Sequence, residues 1–341
     1  MSRPVAVVVT HNSAQHVDGC FSSLRRAGGG NAFDVVAVDN ASSDGTAERI
    51  PAWVELVRHQ QNLGYGRGCN AGLRLALDRG AEYACVLNPD TEVEPDFLDQ
   101  LLAAARALPD CGSVQPLLLL GGERGLINSA GNRIHFLGFG SCGAYRRPRA
   151  EAPASPVEIP FASGACTLFS CAALRAAGLF DESFFLYQED LDLGWRLRLA
   201  GFRNYLAPGS VVYHHHSFAG GARKRYYLER NRYLALFKNL RWRSLLLLSP
   251  LLFAAEAWVL ASAAREGWLL EKLQADLALL TPRTWALMLR ERRGLVRRLR
   301  DRDVAELFDG RMDHPEVQSP LLRAVNPALE GLWHRLRPLL A

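Results

Sequence analysis

The chain has 341 residues, 49% of them hydrophobic, and a formal net charge of +5 at neutral pH, which leaves room for one large domain plus an appendage. Its seven cysteines are odd in number and lack paired metal spacing, which indicates free thiols in a reducing compartment rather than a disulfide framework. Only three of the 40 basic residues are lysines, so the arginine excess says little about nucleic acid, for which no recognisable module exists. The N-terminus lacks the basic start and apolar stretch of a signal peptide, so an intracellular protein is expected.

Three continuous apolar runs mark the first third of the chain. They cover residues 5–9, 35–38 and 83–87, and runs of this kind form buried strands of a parallel sheet. The first run is followed by a polar loop and a helical stretch that reaches about Ala27. The pattern predicts strand, loop and helix units, and therefore an α/β fold.

Polar residues follow each of these predicted strands. The candidates are Thr10, Asn12, Asp39, Asp44 and Asp90. Ligands of open α/β sheets bind at the carboxyl ends of the strands, so these residues are predicted to share one site. An alternative stays open for residues 39–40 and 44–45, because Asp-Asn and Asp-Gly also form turns and an aspartate can cap a short helix.

A glycine-rich segment, residues 62–72, lies between the second and third runs. Gly64, Gly66 and Gly68 occupy alternate positions, which would let the backbone come close to a bound group, and Arg67 supplies charge. The dinucleotide fingerprint needs another glycine spacing directly after the first strand, so a Rossmann dehydrogenase is disfavoured.

The segment 184–196 sets three carboxylates, Glu189, Asp190 and Asp192, among aromatic and apolar residues. The apolar spacing predicts a helix that begins near Glu189 and ends before Gly201. Carboxylates in its first turn would stay ionised beside the helix dipole, so one of them can act as a base. The alternative is an ordinary acidic helix start in which Asp192 pairs with Arg196.

In their order and spacing, these segments resemble the family 2 glycosyltransferases, the inverting GT-A enzymes, and most of all their rhamnosyltransferase-like branch. The resemblance covers residues 4–240 and rests on the segments 10–12, 38–46, 62–66, 87–90, 163–165, 180–182, 187–192 and 214–216. It implies a GT-A fold, in which a Rossmann-like, mostly parallel sheet is sandwiched by helices. The predicted division is a catalytic domain over residues 1–240 and an α-helical C-terminal region over residues 241–341.

The same resemblance implies the roles of individual residues. Donor binding falls to Thr10, Asn12, Asp39, Asp44, Gly64, Arg67, Asn88 and Asp90. Asp90 would also hold a divalent cation, Mg²⁺ or Mn²⁺, together with His214, chosen from the three histidines at 214–216. Many relatives carry an aspartate where this chain has Asn88, so the histidine is expected to matter more. Asp190 would be the catalytic base, and Glu189 would orient the acceptor or contact the metal shell.

The implied reaction is inverting transfer of a sugar from a nucleotide-sugar donor to a hydroxyl of a glycan or polyprenyl-linked acceptor, in bacterial cell-surface polysaccharide synthesis. The donor is expected to be dTDP-L-rhamnose; the alternatives are a UDP-hexose or UDP-N-acetylhexosamine, or a sugar-nucleotide-binding module without transfer. Glycoside hydrolases also pair carboxylates, but they do not need the nucleotide side of the site. Nucleic acid is not expected as a partner.

The C-terminal region predicts contact with a membrane. Residues 245–264 are apolar and near membrane-spanning length, but Pro250 and the charged Glu256 favour a helix against the membrane surface. Residues 283–302 contain eight arginines with interleaved apolar residues, as in a basic interfacial helix. The alternative is an amphipathic helix packed on the catalytic domain or on a second copy, which would give a homodimer. The expected location is cytoplasmic, on the inner face of a bacterial plasma membrane.

Overall fold

The structure is a computed structural model that describes residues 3–215, 221–312 and 320–341. The strands are β1 Val5–Thr10, β2 Asp34–Asp39, β3 Glu55–Arg58, β4 Tyr83–Leu87, β5 Thr91–Val93, β6 Cys111–Leu120, β7 Ile127–Ser129, β8 Asn132–His135, β9 Gly140–Cys142, β10 Val157–Ile159, β11 Cys166–Ser170, β12 Arg203–His214 and β13 Phe308–Asp309. The helices are α1 Val17–Arg26, α2 Tyr65–Asp78, α3 Phe97–Ala107, α4 Cys171–Ala177, α5 Glu189–Leu199, α6 Ala222–Asn239, α7 Trp242–Glu266, α8 Leu269–Leu280, α9 Pro282–Arg293, α10 Asp301–Val304 and α11 Pro320–Leu336.

The three apolar runs form β1, β2 and β4 as predicted, and all three are buried on both faces of one sheet. Its order is β10-β12-β6-β11-β4-β1-β2-β3, with β1 parallel to both β2 and β4. Strand β11 runs antiparallel between β4 and β6, so the sheet is mixed. Since parallel neighbours end at the same edge, the polar residues after β1, β2 and β4 meet there.

Helices cover both faces of this sheet. On one face α1 and α3 contribute Phe21 and Phe97 to a core with β1 and β2. On the other face α2 and α5 contribute Leu73 and Leu193. This layering, with helices on both sides of a largely parallel sheet, is the arrangement that the α/β prediction describes.

The glycines of the segment 62–72 serve helix packing rather than a loop. Gly66, Gly68 and Gly72 lie inside α2, whereas Gly64 precedes it, so most of the glycine-rich segment is helical and a donor-binding role for Gly64 stays a prediction. A side chain at Gly68 or Gly72 would collide with the valine side chains of β1. The missing Cβ atoms therefore allow α2 to approach the strand closely, and the spacing of the glycines follows the helix contact surface.

The C-terminal helices share a core with helix α5, which bears the three carboxylates of the segment 184–196. Trp195 of α5, Leu236 of α6, Leu248 of α7 and Met288 of α9 belong to one buried cluster. Strand β13 adds to a separate small sheet by pairing in parallel with β8. The region after residue 240 is thus helical as predicted and packs on the catalytic core; a division at that point stays a prediction.

The predicted basic helix over residues 283–302 is wrong as a continuous element, since α9 ends at Arg293. Two of its arginines point inward. Arg292 donates to the carbonyls of Phe237 and Leu240, and Arg297 donates to the carbonyl of Asn239 at 2.8 Å. These guanidinium groups donate to the carbonyls that the end of α6 leaves without a partner in the helix, and positive charge is favoured at a helix C-terminus. The two arginines are therefore not available to lipid.

Helix α7 is the one helix among the described residues that is long and apolar enough to cross a membrane, and only 28% of its most apolar window is buried. Its carboxylate is compensated inside the protein. Glu256 contacts the ammonium group of the fully buried Lys272 and accepts a hydrogen bond from the Tyr233 hydroxyl at 2.5 Å. These contacts account for a charged residue in the middle of an apolar helix.

Candidate active site

The loops after β1 and β2 form one interlocked wall. Thr10 donates to the Asp39 carboxylate at 3.0 Å, and the hydroxyl of Ser42 donates to the same oxygen at 2.5 Å. Asp39 is fully buried. The parallel register pairs Thr10 with Asp39. Both residues, which the sequence predicts to bind the nucleotide-sugar donor, therefore lie at the same edge of the sheet.

Asp44 and Asn12 hold this wall together through backbone contacts. Asp44 accepts from the Ala14 amide at 3.0 Å, and the Asn12 side chain accepts from the Ser43 amide at 2.9 Å. Hydrogen bonds from the Thr46 hydroxyl and the Ala14 amide lower the pKa of the exposed Asp44 carboxyl. The turn-forming alternative is therefore realised for Asp44, and a donor-binding role for both residues stays a prediction.

Asn40, which the sequence argument did not select, connects the wall to the next element. Its side-chain amide nitrogen donates to the Gly64 carbonyl at 3.0 Å, and its side-chain oxygen lies 2.8 Å from Nδ1 of His59. Gly64 has a φ of +88°, and a side chain there would collide with the backbone of Phe185. Gly64 thus permits close contact between the segment that precedes α2, which Asn40 holds, and the loop that precedes α5.

Arg67 lies in an ion pair. Its Nε is 3.0 Å from an oxygen of Glu182, and Arg74 contacts the other oxygen of the same carboxylate at 2.8 Å. Arg67 is half exposed. Its assignment to the donor stays a prediction, and the pair with Glu182 would have to open or be shared if it contacts phosphate.

Asp90 and His214 come together at the edge of the sheet. The antiparallel register of β5 and β12 places His214 opposite Thr91, and its Nε2 lies 3.4 Å from Oδ1 of Asp90. The other ring nitrogen lies 3.1 Å from the side-chain oxygen of Asn128. With the proton on Nδ1, that contact directs the lone pair of Nε2 to the aspartate side.

This donor set fits a hard divalent cation. One carboxylate and one imidazole at 3.4 Å can share an ion and leave positions for phosphate oxygens and water. Within residues 3–215, 221–312 and 320–341, no group of three or more metal-binding side chains occurs. His215 lies 3.1 Å from Glu92 instead, and His216 is outside the described residues.

The segment 164–165 connects the residues that follow β4 to the carboxylates of α5. The Gly164 amide donates to Asp190 at 2.9 Å, and the carbonyl of the next residue, Ala165, accepts from the Asn88 amide at 3.0 Å. The Tyr65 hydroxyl donates to the Gly164 carbonyl at 2.5 Å. The structure therefore brings the candidate base and the third-strand residues into one site.

The two adjacent carboxylates of α5 have different environments. Asp190 accepts from the amides of Gly164 and Leu191, which oppose the rise in its pKa that burial causes. Glu189 is 5% exposed, and its Oε2 makes no hydrogen bond within the described parts of the chain. Burial, followed by the charge of Asp190, raises the pKa of Glu189 to about 8. Because Asp190 accepts two amide hydrogen bonds and Oε2 of Glu189 accepts none within the described residues, a proton held by the pair is favoured on Glu189, and Asp190 is the better candidate base.

The loop 184–188 is strained and held from α6. Three residues, Phe185, Tyr187 and Gln188, have φ values between +63° and +66°. The side-chain amide of the fully buried Asn231 donates to the carbonyls of Phe184, Leu186 and Tyr187 at 2.8–2.9 Å. Positive φ in bulky residues costs free energy and persists where surrounding contacts enforce it. Asn231 thus positions the start of α5, and no local pattern in the sequence marks it.

Asp192 forms the pair with Arg196 that the alternative interpretation predicted, at 2.8 Å. It also contacts Lys238 at 2.7 Å and accepts from Asn239 at 2.9 Å. Asp192 is fully buried and fastens α5 to the end of α6. Its role is structural support of the carboxylates one turn earlier.

Comparisons with known proteins identify the family of this chain. The profile of glycosyl transferase family 2 matches residues 5–178, which is half of the chain. An N-acetylglucosaminyl-diphospho-decaprenol L-rhamnosyltransferase of Mycobacterium tuberculosis is 32% identical over 244 residues, 63% of this chain and 76% of that protein. A low-salt glycan biosynthesis hexosyltransferase of Haloferax volcanii is 26% identical over 200 residues, 56% of this chain and 60% of that protein.

The fold is similar to that of GalNAc-T7, solved with UDP, GalNAc and Mn²⁺, with a TM-score of 0.53 and 15% identity over 70% of this chain. The chain spans 48% of that protein. This likeness concerns the fold and confirms the GT-A prediction. With the family profile extending from β1 through α4, and with the candidate base following on α5, the chain belongs to glycosyl transferase family 2 and is a nucleotide-sugar glycosyltransferase.

Proposed function

We propose that this enzyme transfers L-rhamnose, with inversion, from dTDP-L-rhamnose to a saccharide carried on a polyprenyl diphosphate. The transferred sugar and the acceptor follow the activity named for the M. tuberculosis relative, and the dTDP carrier follows the rhamnosyltransferase resemblance of the sequence. The observation that carries the proposal is the junction at Gly164, where the amide-bound Asp190 meets the strand end that bears Asn88 and Asp90. A base and a leaving-group site on one edge are what direct displacement requires.

The chemistry assigned to the residues is as follows. Asp190 accepts the proton of an acceptor hydroxyl, the hydroxyl oxygen bonds to the anomeric carbon, and the bond from that carbon to the diphosphate oxygen breaks. The electron pair leaves with the nucleoside diphosphate, so one bond is exchanged for another and the configuration inverts. A divalent cation held by Asp90 and His214 would neutralise the charge that develops on the diphosphate. Protonated Glu189 can donate a hydrogen bond to the acceptor.

A UDP-hexose donor is the second candidate, and the hexosyltransferase relative of H. volcanii supports it. A thermal-shift panel of dTDP-rhamnose, UDP-hexoses and UDP-N-acetylhexosamines separates the two. A donor at a hundred times its dissociation constant adds about 2.7 kcal/mol to the free energy of unfolding, so the true donor should give the largest shift. Product analysis with and without acceptor distinguishes transfer from binding alone.

Removal of divalent cations is expected to abolish transfer. Asp90→Ala should weaken Mn²⁺-dependent binding of the donor about tenfold or more, because it removes the carboxylate of a two-residue ligand set, and loss of even an outer-shell partner costs about 10–100-fold in affinity. Isothermal titration with nucleotide sugar, in Mn²⁺ and in EDTA, measures the effect. His215→Gln is the matched control, since the His215 side chain lies against Glu92 and its backbone amide, which donates to the Asp90 carbonyl at 2.8 Å, is kept in the variant. Full activity in excess EDTA would refute the cation assignment.

We also propose that the enzyme acts at the cytoplasmic face of the membrane. Helix α8 exposes an apolar stripe at helical spacing, and α7 exposes two large side chains seven residues apart. The residues are Leu270, Leu273, Leu277 and Leu280 on α8 and Leu246 and Phe253 on α7, with exposures from 44% to 75%. Exposed arginines of the neighbouring α9, Arg283, Arg290 and Arg293, complement anionic lipid headgroups.

Replacing Leu270 and Leu277 together with glutamine is expected to reduce binding to phosphatidylglycerol vesicles severalfold without unfolding the protein, because both side chains are more than 60% exposed. Vesicle co-sedimentation measures binding, and Leu339→Gln, at 67% exposure near the C-terminus, is the control. A variant that binds vesicles normally but elutes as a smaller species than the wild type would identify the stripe as a dimer interface instead.

A further inference from the structure

A large cavity lies beside the start of α5, on the side of the C-terminal helices. Its volume is about 1040 Å³, and its walls come from β9 and the loop after it, from α6, from the end of α7 and from β13. None of the residues assigned above to the donor or the cation lines it. Its size exceeds that of many small-ligand pockets, so it can hold more than one sugar ring.

Gln188 connects this cavity to the reaction centre. It lines the cavity, directly precedes Glu189 and Asp190, and is 7% exposed. Its side-chain oxygen makes no hydrogen bond within the described residues. A buried carbonyl oxygen without a donor is costly, and the loop 184–188, held by Asn231, keeps this one in place. The missing donor can be a hydroxyl or amide N–H of a bound ligand.

The walls carry side chains suited to a sugar and a phosphate. Tyr145, Trp258 and Trp268 supply aromatic faces. Several wall arginines are neutralised, among them Arg133, whose guanidinium pairs with Asp309, and Arg147, which pairs with Glu151 at 2.7 Å.

Two further wall arginines have no carboxylate within 4.0 Å in the described parts of the chain. These are Arg225 and Arg265, and Arg225 lies over the ring of Trp268 at 5.3 Å. The lining as a whole is balanced, with five arginines and five carboxylates. Guanidinium groups bind phosphate oxygens through parallel hydrogen bonds, so these two arginines can still bind an anionic ligand locally.

The cavity also continues into an apolar surface. Trp268 lines the cavity, and the next two residues, Leu269 and Leu270, begin the exposed side of α8 at 37% and 65% exposure. A ligand with a polar head in the cavity can therefore extend a hydrocarbon chain along α8. The three properties, an unsatisfied acceptor near the base, unpaired arginines and an adjoining apolar stripe, describe one amphipathic ligand.

We infer that this cavity binds the saccharide-diphosphate head of the lipid-linked acceptor, with Gln188 accepting a hydrogen bond from the saccharide and Arg225 and Arg265 binding the diphosphate. The inference rests on the proposed function, and it assigns the acceptor to residues that neither the family profile nor the donor side includes. Gln188 directly precedes Glu189, so the cavity adjoins the chain segment that bears the two carboxylates of α5, although the carboxylates themselves do not line it.

The test uses the full-length protein with N-acetylglucosaminyl-diphospho-farnesol, a short-chain acceptor, as the probe. Gln188→Asn withdraws the amide by one methylene while tolerating the left-handed backbone, and Arg225→Ala removes one free charge on a different element. Each is expected to raise the KM for the acceptor about tenfold or more, with donor affinity within twofold of the wild type. Arg3→Ala, an exposed arginine just before β1 and outside the cavity, should leave both unchanged.

A comparison of two probes separates the parts of the ligand. If Arg225 binds the diphosphate, Arg225→Ala weakens binding of the diphospho-lipid but not of a neutral N-acetylglucosamine glycoside, whereas Gln188→Asn weakens both. Unchanged acceptor KM in both variants, in an enzyme whose wild type transfers sugar to the probe, would overturn the inference while leaving the proposed function intact. A wild type that binds no nucleotide sugar would instead refute the proposed function.

Discussion

Replacing Asp190 with asparagine is expected to lower turnover by about 10²–10⁴-fold, the usual cost of losing a general base. The amide keeps the shape of the side chain but cannot accept the acceptor proton. Donor binding should stay within about twofold of the wild type, because the predicted donor residues lie on other elements. Single-turnover kinetics together with calorimetric donor titration measure the two quantities separately.

Glu189→Gln is the matched comparison, since it removes the adjacent carboxylate. It should be milder, because the pKa of about 8 already leaves Glu189 protonated at neutral pH. The opposite ranking, with Glu189→Gln inactive and Asp190→Asn near normal while both fold and bind donor, would assign the base to Glu189.

The pH profile provides an independent check on the same assignment. A base works when ionised, so kcat/KM falls as the pH drops through the pKa of Asp190. Burial raises that pKa above its usual 3.8, so the acid limb should lie above the range of an exposed aspartate. An acid limb near pH 8 would mean that ionised Glu189 is required instead.

Replacing Asp192 with alanine is expected to lower the free energy of unfolding by about 3–5 kcal/mol, because it leaves the buried Arg196 and Lys238 with too little negative charge. Lys238 retains one partner, Asp181, at 2.7 Å. Urea denaturation measures the change. Glu123→Ala is the control, an exposed carboxylate paired with Arg146, and should shift stability by no more than about 0.5 kcal/mol.

The same network predicts the direction of acid sensitivity. Burial alone would raise the pKa of Asp181, but the Lys238 ammonium outweighs it and holds the pKa well below its usual range. A carboxyl whose pKa is lowered on folding stabilises the protein above its unfolded pKa and loses that contribution as the pH falls through the folded value. Lys238→Met should therefore flatten the loss of stability on acidification. Equal acid sensitivity in this variant and the wild type would contradict the network.

Elements with strong local patterns were predictable from the sequence alone. Strands β1, β2 and β4 coincide with the apolar runs, and α5 begins at Glu189 and ends at Leu199, as its spacing and acidic first turn indicate. The pair between Asp192 and Arg196 was also predictable, because residues four apart are neighbours on any helix.

Other features depended on contacts between distant segments. The glycines of α2 allow packing against β1, and Arg292 and Arg297 close the end of α6 rather than face lipid. The spacing of glycines or arginines along the sequence does not show which part of the folded protein each residue will contact. The predicted continuous basic helix over residues 283–302 was wrong for that reason.

The sequence by itself determined the α/β class, the order of the strands that form the site and the residues available for chemistry, since buried strands and helix starts reflect local apolarity and backbone preference. Only the tertiary structure decided that His214 lies 3.4 Å from Asp90, that Asn231 holds the loop before α5 and that Gln188 opens onto a cavity. These contacts join segments far apart along the chain, and their geometry depends on how the whole core packs.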